Sequence, residues 1–397
     1  MSNDSQRIGG AMDSDHIYYN INVSNDYPTV NSSSVQLDTA NTVVPLTFTQ
    51  YRAQPYLYDP SQYFLSVQRF TIESPSLPVF IPQPVLGSNN VTDTIYTVTI
   101  INGGTTITKS VVWQPQDTNT NTTPLPPTPI TQNNLNNPYF YCYSYQWFIK
   151  CINDTLHSTG VVNHPIMSYN PETHLFSVQG KADKYRTSST GASLGAVGVT
   201  QAKFYMNAAL YNLFASLPSI YAAIAGGLDY QILFTTGTDI PYATTQPYIN
   251  NVITIGGVNY INVSQEYNTL SLWTPVKSIV FRGSLINVVS DMIATPVVYQ
   301  NGSNINAGKQ NTDILPVLIE YSVPLTNGTE YKPYIYYEPT AEYRLMDLYS
   351  DNPVYGLNFD AFWKDCFGNL VPFTLALGAS ATMKILFRKK SFSSDKI

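Results

Sequence analysis

Between Tyr63 and Ile72 the chain reads YFLSVQRFTI. Tyr63, Leu65 and Val67 alternate with Phe64, Ser66 and Gln68, and then the phase slips by one residue so that Phe70 and Ile72 continue the apolar face. Side chains of a strand point alternately to opposite faces, so one extra residue in a period-two segment predicts a strand carrying a β-bulge. Prolines fence it, with Pro55 and Pro60 before it and Pro75, Pro78, Pro82 and Pro84 after it. Proline cannot donate to a ladder and biases its predecessor towards extended geometry, so both flanks are expected to leave the sheet as ordered, extended arms.

Taken in order, the chain predicts a polar N-terminal arm over residues 1–16 and a first strand in IYYNINV from Ile17. Thr42 to Tyr51 is a second strand, with Leu46 and Phe48 on one face and Pro45 marking an edge or bulge. Thr94 to Ile101 and Thr105 to Trp113 flank Asn102-Gly103-Gly104, a hairpin signal because Asn and Gly tolerate the positive φ of tight turns. Gln114 to Pro138 is a long Pro/Asn/Thr-rich loop, for which contact with a neighbouring subunit is the expected use.

Helical spacing follows. From Ser144 to His157, Tyr145, Phe148, Ile149, Ile152 and Leu156 share a face, with Ser144 as cap and Gly160 as terminator. A second helix is expected from Ala202 to Leu217, where Met206, Leu210, Leu213, Phe214 and Leu217 make one stripe before Pro218. Phe204 to Leu228 lacks charge and is long enough to cross a bilayer. Asn207, Asn212, Ser216 and Pro218 make it a poor lipid-facing surface, so no span is expected. Lys181 to Thr200 reads as a mobile Ser/Gly/Thr-rich loop.

Beyond Leu228 the pattern is again β. Strands are expected at Asp229 to Phe234, Ile249 to Ile255, Asn259 to Val263, Ser278 to Phe281, Leu315 to Val323, Tyr334 to Tyr337, Tyr343 to Leu348 and Leu357 to Trp363. A closing hairpin joins Phe373, Leu375 and Leu377 to Met383, Ile385 and Phe387. Many short strands punctuated by Gly, Pro and Asn predict a mainly β protein, a jelly roll or β-sandwich with inserted helices and long loops. The expected organisation is an arm (1–16), a β-rich region with one helix near 144–158 (17–200), the helix 202–217 with a second β-rich region co-folded with the first (201–390), and a flexible tail (391–397).

Composition adds that 12% of the 397 residues are charged and 13% aromatic, with 31 Tyr. Charge depletion with aromatic enrichment is the signature of interface cores, which points to a surface destined to be covered by other protein. The competing account is that strands favour Tyr, Thr, Val and Ile anyway. A net charge of −6 argues against broad binding to nucleic acid or anionic membrane. The one basic run, Arg388, Lys389, Lys390, reads as a solvated chain end. The first fifteen residues contain no apolar signal segment, so synthesis without a secretory signal is expected and the nine Asn-X-Ser/Thr sequons are by-products of composition. Cys142, Cys151 and Cys366 are expected to be reduced, packed thiols.

Candidate chemistry is thin. His16, His157, His164 and His174 show no metal-ligand spacing. Gly191-Ala192-Ser193-Leu194-Gly195 matches G-x-S-x-G, yet it lacks the strand before and helix after that a nucleophile elbow requires. The carboxylate pairs Asp13/Asp15, Glu338/Glu342 and Asp347/Asp351 have no evident facing arrangement, and local pairing of Glu342 and Asp347 with Arg344 is the plainer account. No catalytic residue, cofactor or metal site is expected.

Five blocks, Gln50 to Pro82, Tyr139 to Asp154, Phe204 to Pro218, Pro339 to Leu357 and Phe362 to Lys390, together resemble the minor capsid, penton-like proteins of virophages and polinton-like viruses. The capsids of these double-stranded DNA viruses are similar to those of the adenovirus and PRD1 lineage. The resemblance implies a non-enzymatic jelly-roll protein of the virion that assembles as a pentamer, with other capsid proteins, at a vertex of an icosahedral shell. A host receptor is a further possible partner. The residues expected to make contacts are Tyr56, Tyr58, Pro78, Phe80 and Pro82, with Arg388, Lys389 and Lys390 turned inward. The alternatives are a spike or carbohydrate-binding β-sandwich using Trp113, Trp147 or Trp273 as stacking residues, and a hydrolase centred on Ser193.

Overall fold

The structure, a computed structural model, describes residues 15–26, 43–88, 90–116, 137–224, 227–237, 239, 251–286, 288, 299–300, 303–304, 317–323, 333–338, 345–366 and 368–390. Two compact units share the chain. One comprises Met1–Leu77, Val276–Leu325 and Thr329–Ile397, and the other Pro78–Pro275 with Thr326–Gly328. The divisions fall at residues 77/78 and 275/276, whereas sequence pattern places one near residue 200.

Eight strands of the first unit, in chain order, are His16–Ser24, Thr47–Tyr51, Tyr63–Glu73, Ser278–Arg282, Val317–Ser322, Tyr334–Tyr337, Gly356–Lys364 and Ser380–Lys389. Counted that way they form two sheets, ordered 1-8-3-6 and 2-7-4-5. This is the strand order of a jelly roll, in which the first and last strands pair and the chain wraps alternately between two sheets. The second unit is inserted between strands 3 and 4. The organising strand runs Tyr63–Glu73 and is bulged where the alternation slips. Val67 faces Ile385 and Arg69 faces Lys384, leaving Gln68 as the extra residue. Tyr63, Leu65, Val67, Phe70 and Ile72 are all buried as a result.

The jelly-roll core lies between its sheets. Phe70 meets Phe281 and Tyr321 edge-on and stacks on Tyr337. Each fully buried side chain of that size contributes about 1.5–3 kcal/mol of apolar burial. A small apolar cavity of about 30 Å³ remains between Ile21, Ile72, Phe281, Phe359 and Met383.

The second unit has sheets of five and four strands. The five-stranded one runs Ser219–Ile224, Gly227–Ile232, Ala202–Asn207, Asp93–Asn102, Thr105–Val112, and the other runs Asn251–Ile255, Val258–Ser264, Leu175–Lys181, Ile166–Asn170. The helix Tyr145–Ser158 buries Tyr145, Phe148, Ile149, Ile152 and Leu156, and Gly160 at φ 71° follows it. Ser144 occupies the cap position but makes no side-chain capping bond. Trp273 is the hub of this core. Its ring lies 4.8–5.6 Å from those of Phe80, Tyr145, Phe148, Phe176 and Phe214, and its Nε1 donates to the Leu213 carbonyl at 2.9 Å.

Two local expectations are corrected. Ala202–Asn207 is a strand, and the helix is confined to Ala208–Leu213. Phe204 and Met206 alternate with Lys203 and Tyr205 and face the core from the ladder with Asp93–Asn102, so period two prevails there. Asn207 then caps the helix, its Oδ1 accepting from Leu210 N at 3.0 Å. The loop after Lys181 is closely bonded rather than loose. Gln201 Nε2 donates to the carbonyls of Asp183, Ala196 and Val199, and Ser188 Oγ accepts from the amides of Thr190 and Ala192. Most of the Gln114 to Pro138 loop lies outside the described residues, as do residues 1–14 and 391–397.

Candidate assembly surface

The arm before the organising strand is held by its own unit. Tyr56 N donates to the Val354 carbonyl, Val354 N to the Leu57 carbonyl at 2.9 Å, and Arg52 N to the Tyr355 carbonyl at 2.9 Å. This short ladder buries Tyr56, whose ring meets Tyr19 edge-on at 5.0 Å under the Arg52 guanidinium. Burial raises the Tyr56 phenol pKa, although the nearby guanidinium opposes the shift. Tyr58 points outward and is 53% exposed. Two neighbours that sequence reasoning did not single out join it at the ladder: Tyr51, 67% exposed, and Tyr355, 47% exposed. Gly356 pairs with Tyr51, and a Cβ at Gly356 would strike the Tyr51 ring, so glycine there lets the phenol lie across the backbone. Tyr51 stands at the end of a strand the sequence predicts, but only pairing sets it opposite Gly356.

Pro78, Phe80 and Pro82 belong to the second unit and are buried within it. Phe80 packs against Phe148 and Trp273. Arg388, Lys389 and Lys390 are half-buried at the end of the last jelly-roll strand. Lys390 Nζ reaches Asp347 Oδ1 and the Leu348 carbonyl, both at 3.1 Å, and lies over Phe64. Asp347 thus pairs with Lys390; Glu342 and Arg344 lie outside the described residues.

The decoys for chemistry resolve structurally. Ser193 is exposed and bridges Thr187 in a loop. Both glycines of its motif serve the backbone: Gly191 has φ 76°, and a Cβ at Gly195 would collide with the Asp183 carbonyl. Trp113 and Trp273 are buried and donate to the carbonyls of Tyr139 and Leu213. Trp147 is half-buried, donates to the Gln114 carbonyl and lies beneath Lys150. Trp113 and Trp273 therefore offer no free ring face for a sugar. His157 Nδ1 and His164 Nε2 approach to 3.4 Å, and His174 meets the Tyr169 hydroxyl at 3.0 Å. No group of three or more His, Cys, Asp or Glu is placed to hold a metal ion among the described residues. Cys142 and Cys151 are buried, whereas Cys366 is exposed, a correction to the expectation that all three are packed. No helix among the described residues is long and apolar enough to cross a membrane.

A jelly roll with a large inserted unit defines a β-structural protein of the kind that builds shells. The chain belongs to the family described as Sputnik minor capsid protein V18/19, whose model matches residues 17–389. It is 27% identical over 225 residues to structural protein V19 of Sputnik virophage, covering 55% of this chain and 96% of that protein. It is also 38% identical over 115 residues to the uncharacterized protein V18 of the same virophage, covering 28% and 69% respectively. Among solved structures, a chain in the cryo-EM structure of the Sputnik virophage aligns with a TM-score of 0.72 at 26% identity over 96% of this chain and 99% of that one. The mavirus penton protein has the same fold, with a TM-score of 0.57 at 17% identity over 94% and 99%. The protein is a non-enzymatic structural component of a virion, a minor capsid protein that assembles with other capsid proteins.

Proposed function

We propose that this chain is the vertex subunit of its shell and that five copies form a ring surrounded by other capsid proteins. The observation that carries the reading is a complete jelly roll with an insertion between its third and fourth strands, a fold held in common with the mavirus penton protein along nearly the whole chain. In this reading Tyr58, with Tyr51 and Tyr355, supplies contact area. A phenol ring buries much surface for few rotatable bonds and keeps its hydroxyl for a hydrogen bond. Tyr56, Pro78, Phe80 and Pro82 act from beneath, each stiffening the surface of its own unit, and Arg388, Lys389 and Lys390 face the interior of the shell. Symmetric closure multiplies each modest contact, so individually weak interfaces suffice.

The test is the elution mass of the purified protein with negative-stain images over a rising concentration series. Fivefold rings are expected, and a strict monomer throughout would overturn the proposal. Replacing Tyr51, Tyr58 and Tyr355 by Ser should weaken ring formation without lowering the thermal midpoint of the monomer.

A further inference from the structure

The second unit guards two of its sheet edges with one helix. Asn153 of the helix Tyr145–Ser158 donates to the Met167 carbonyl and accepts from the Met167 amide, both at 2.8 Å, which occupies the outer edge of Ile166–Asn170. Thr155 accepts from Val112 N at 3.3 Å at the edge of Thr105–Val112. Proteins manage sheet edges in this way because a row of unpaired N–H and C=O groups is a template for another strand.

The hairpin Asn251–Ile255/Val258–Ser264 is treated differently. It turns through Gly256 and Gly257 at φ 57° and 79°, its register is unbroken, and its fourteen residues contain no charge and no proline. Ile261 and Val263 anchor its base in the core, but Val252 and Ile255 are 50% and 56% exposed. Ile253, Ile255, Val258 and Tyr260 share one face by register. No described strand pairs with the outer edge of Asn251–Ile255, and none of the charges, prolines or bulges that blunt an edge is present. A two-stranded ribbon with so little of its length packed is marginal alone, so its apolar stripe and open edge call for a cover.

The first unit carries a matching edge. His16–Ser24 is nine residues long, also without charge within the strand, proline or register shift, and among the described residues it pairs on one side only, with Ser380–Lys389. Two open, uncharged edges on one chain are complementary between copies. Pairing them head to tail is a heterologous contact, the kind that closes into a ring.

We propose that the outer edge of Asn251–Ile255 takes up the strand His16–Ser24 of a second copy of this chain, by strand addition. The inference rests on the reading of the chain as a self-assembling shell subunit. Hydrogen-bond phase says which amides are used. Gln265 N bonds the Phe176 carbonyl, so odd residues of Val258–Ser264 face Leu175–Lys181 and even ones face the first hairpin strand, paired with residues 251, 253 and 255. The amides of Val252 and Thr254 therefore point to the open edge. In the first jelly-roll strand, Asp15 and Asn25 bond towards the last strand through Lys389 N and the Ala379 carbonyl, so the amide of Asn20 points outward.

Thr254→Pro and Asn20→Pro each delete one outward amide and no internal ladder bond, and proline is tolerated at such edge positions. Each should keep the circular dichroism and melting of the monomer while raising the concentration for half-assembly tenfold or more. Thr254→Val and Asn20→Thr, which keep the amide, should assemble as the unsubstituted chain does. A folded proline variant that assembles normally would overturn the proposal while leaving fivefold assembly standing. An unsubstituted chain that stays monomeric would overturn both. Rings of another number that dissolve in the proline variants would uphold the edge contact and overturn the pentamer. Should a proline variant not fold, mixed Thr254→Cys and Asn20→Cys copies on a Cys366→Ser background decide. A bis-maleimide adduct between unlike copies supports the contact, and its absence from assembled material overturns it.

Discussion

Phe70 meets Phe281 edge-on with ring centroids 4.9 Å apart, one ring from each jelly-roll sheet. The two residues are 211 positions apart in the chain, and their contact ties the strand before the inserted unit to the strand after it. Phe70→Ala removes this bridge together with the contacts to Tyr321 and Tyr337, and leaves a void between the sheets. A loss of about 3–5 kcal/mol in unfolding free energy is expected. Denaturant titration checks it, and Phe70→Leu should cost clearly less.

The bulge at Gln68 is a structural requirement of its strand. Deleting Gln68 would put Arg69 in its place and turn either Tyr63, Leu65 and Val67 or Phe70 and Ile72 to the wrong face, because a one-residue slip inverts every side chain. The deletion is expected to abolish cooperative thermal unfolding. Gln68→Ser keeps the residue count and should lie within about 1 kcal/mol of the parent.

Asp239 sets an acid limit on the second unit. Its side chain is nearly inaccessible. Burial alone would raise its pKa, but the Arg186 guanidinium at 2.6–3.2 Å and the Thr236 amide and hydroxyl outweigh that and hold the carboxyl below the ordinary carboxylate range. A carboxyl whose pKa is lower folded than unfolded contributes stability in full above the unfolded value of about 3.9, and that contribution is lost as pH falls through the folded value. Melting temperature should therefore drop below about pH 4. Asp239→Asn should flatten the fall while lowering stability at neutral pH by about 1–3 kcal/mol.

Thiol reactivity should follow burial. Cys366 is exposed, while Cys142 and Cys151 are buried and desolvation pushes the Cys151 thiol up to about 11. Iodoacetamide at pH 8 is expected to add one label to the native chain and three after unfolding, read by intact mass.

Local pattern made several elements legible. The alternation and slip at Tyr63 to Ile72, the Asn102-Gly103-Gly104 hairpin and the apolar stripe of Tyr145 to Leu156 all depend on residues within a few positions of one another, and each is present in the structure. Ala202 to Leu217 misled because Met206 fits both a helical stripe and a strand face. Only the flanking strands Asp93–Asn102 and Gly227–Ile232 decide between them.

The arms show the same limit on the side of function. Proline stiffening near Tyr56 and Phe80 was visible, but whether such rings face solvent or core depends on what lies opposite them. Val354 closes over the first arm, and Phe148 and Trp273 receive Phe80.

By itself, then, the sequence determined the strand-rich class and the family resemblance. These are carried by residue type and short-range period, which any conformation of the chain preserves. Tertiary structure alone decided that the first strand lies beside the last, that Pro78–Pro275 forms a separate unit, and that Tyr51 lies opposite Gly356. Ladder pairing and burial link residues hundreds of positions apart, and their energies exist only once the partners have met.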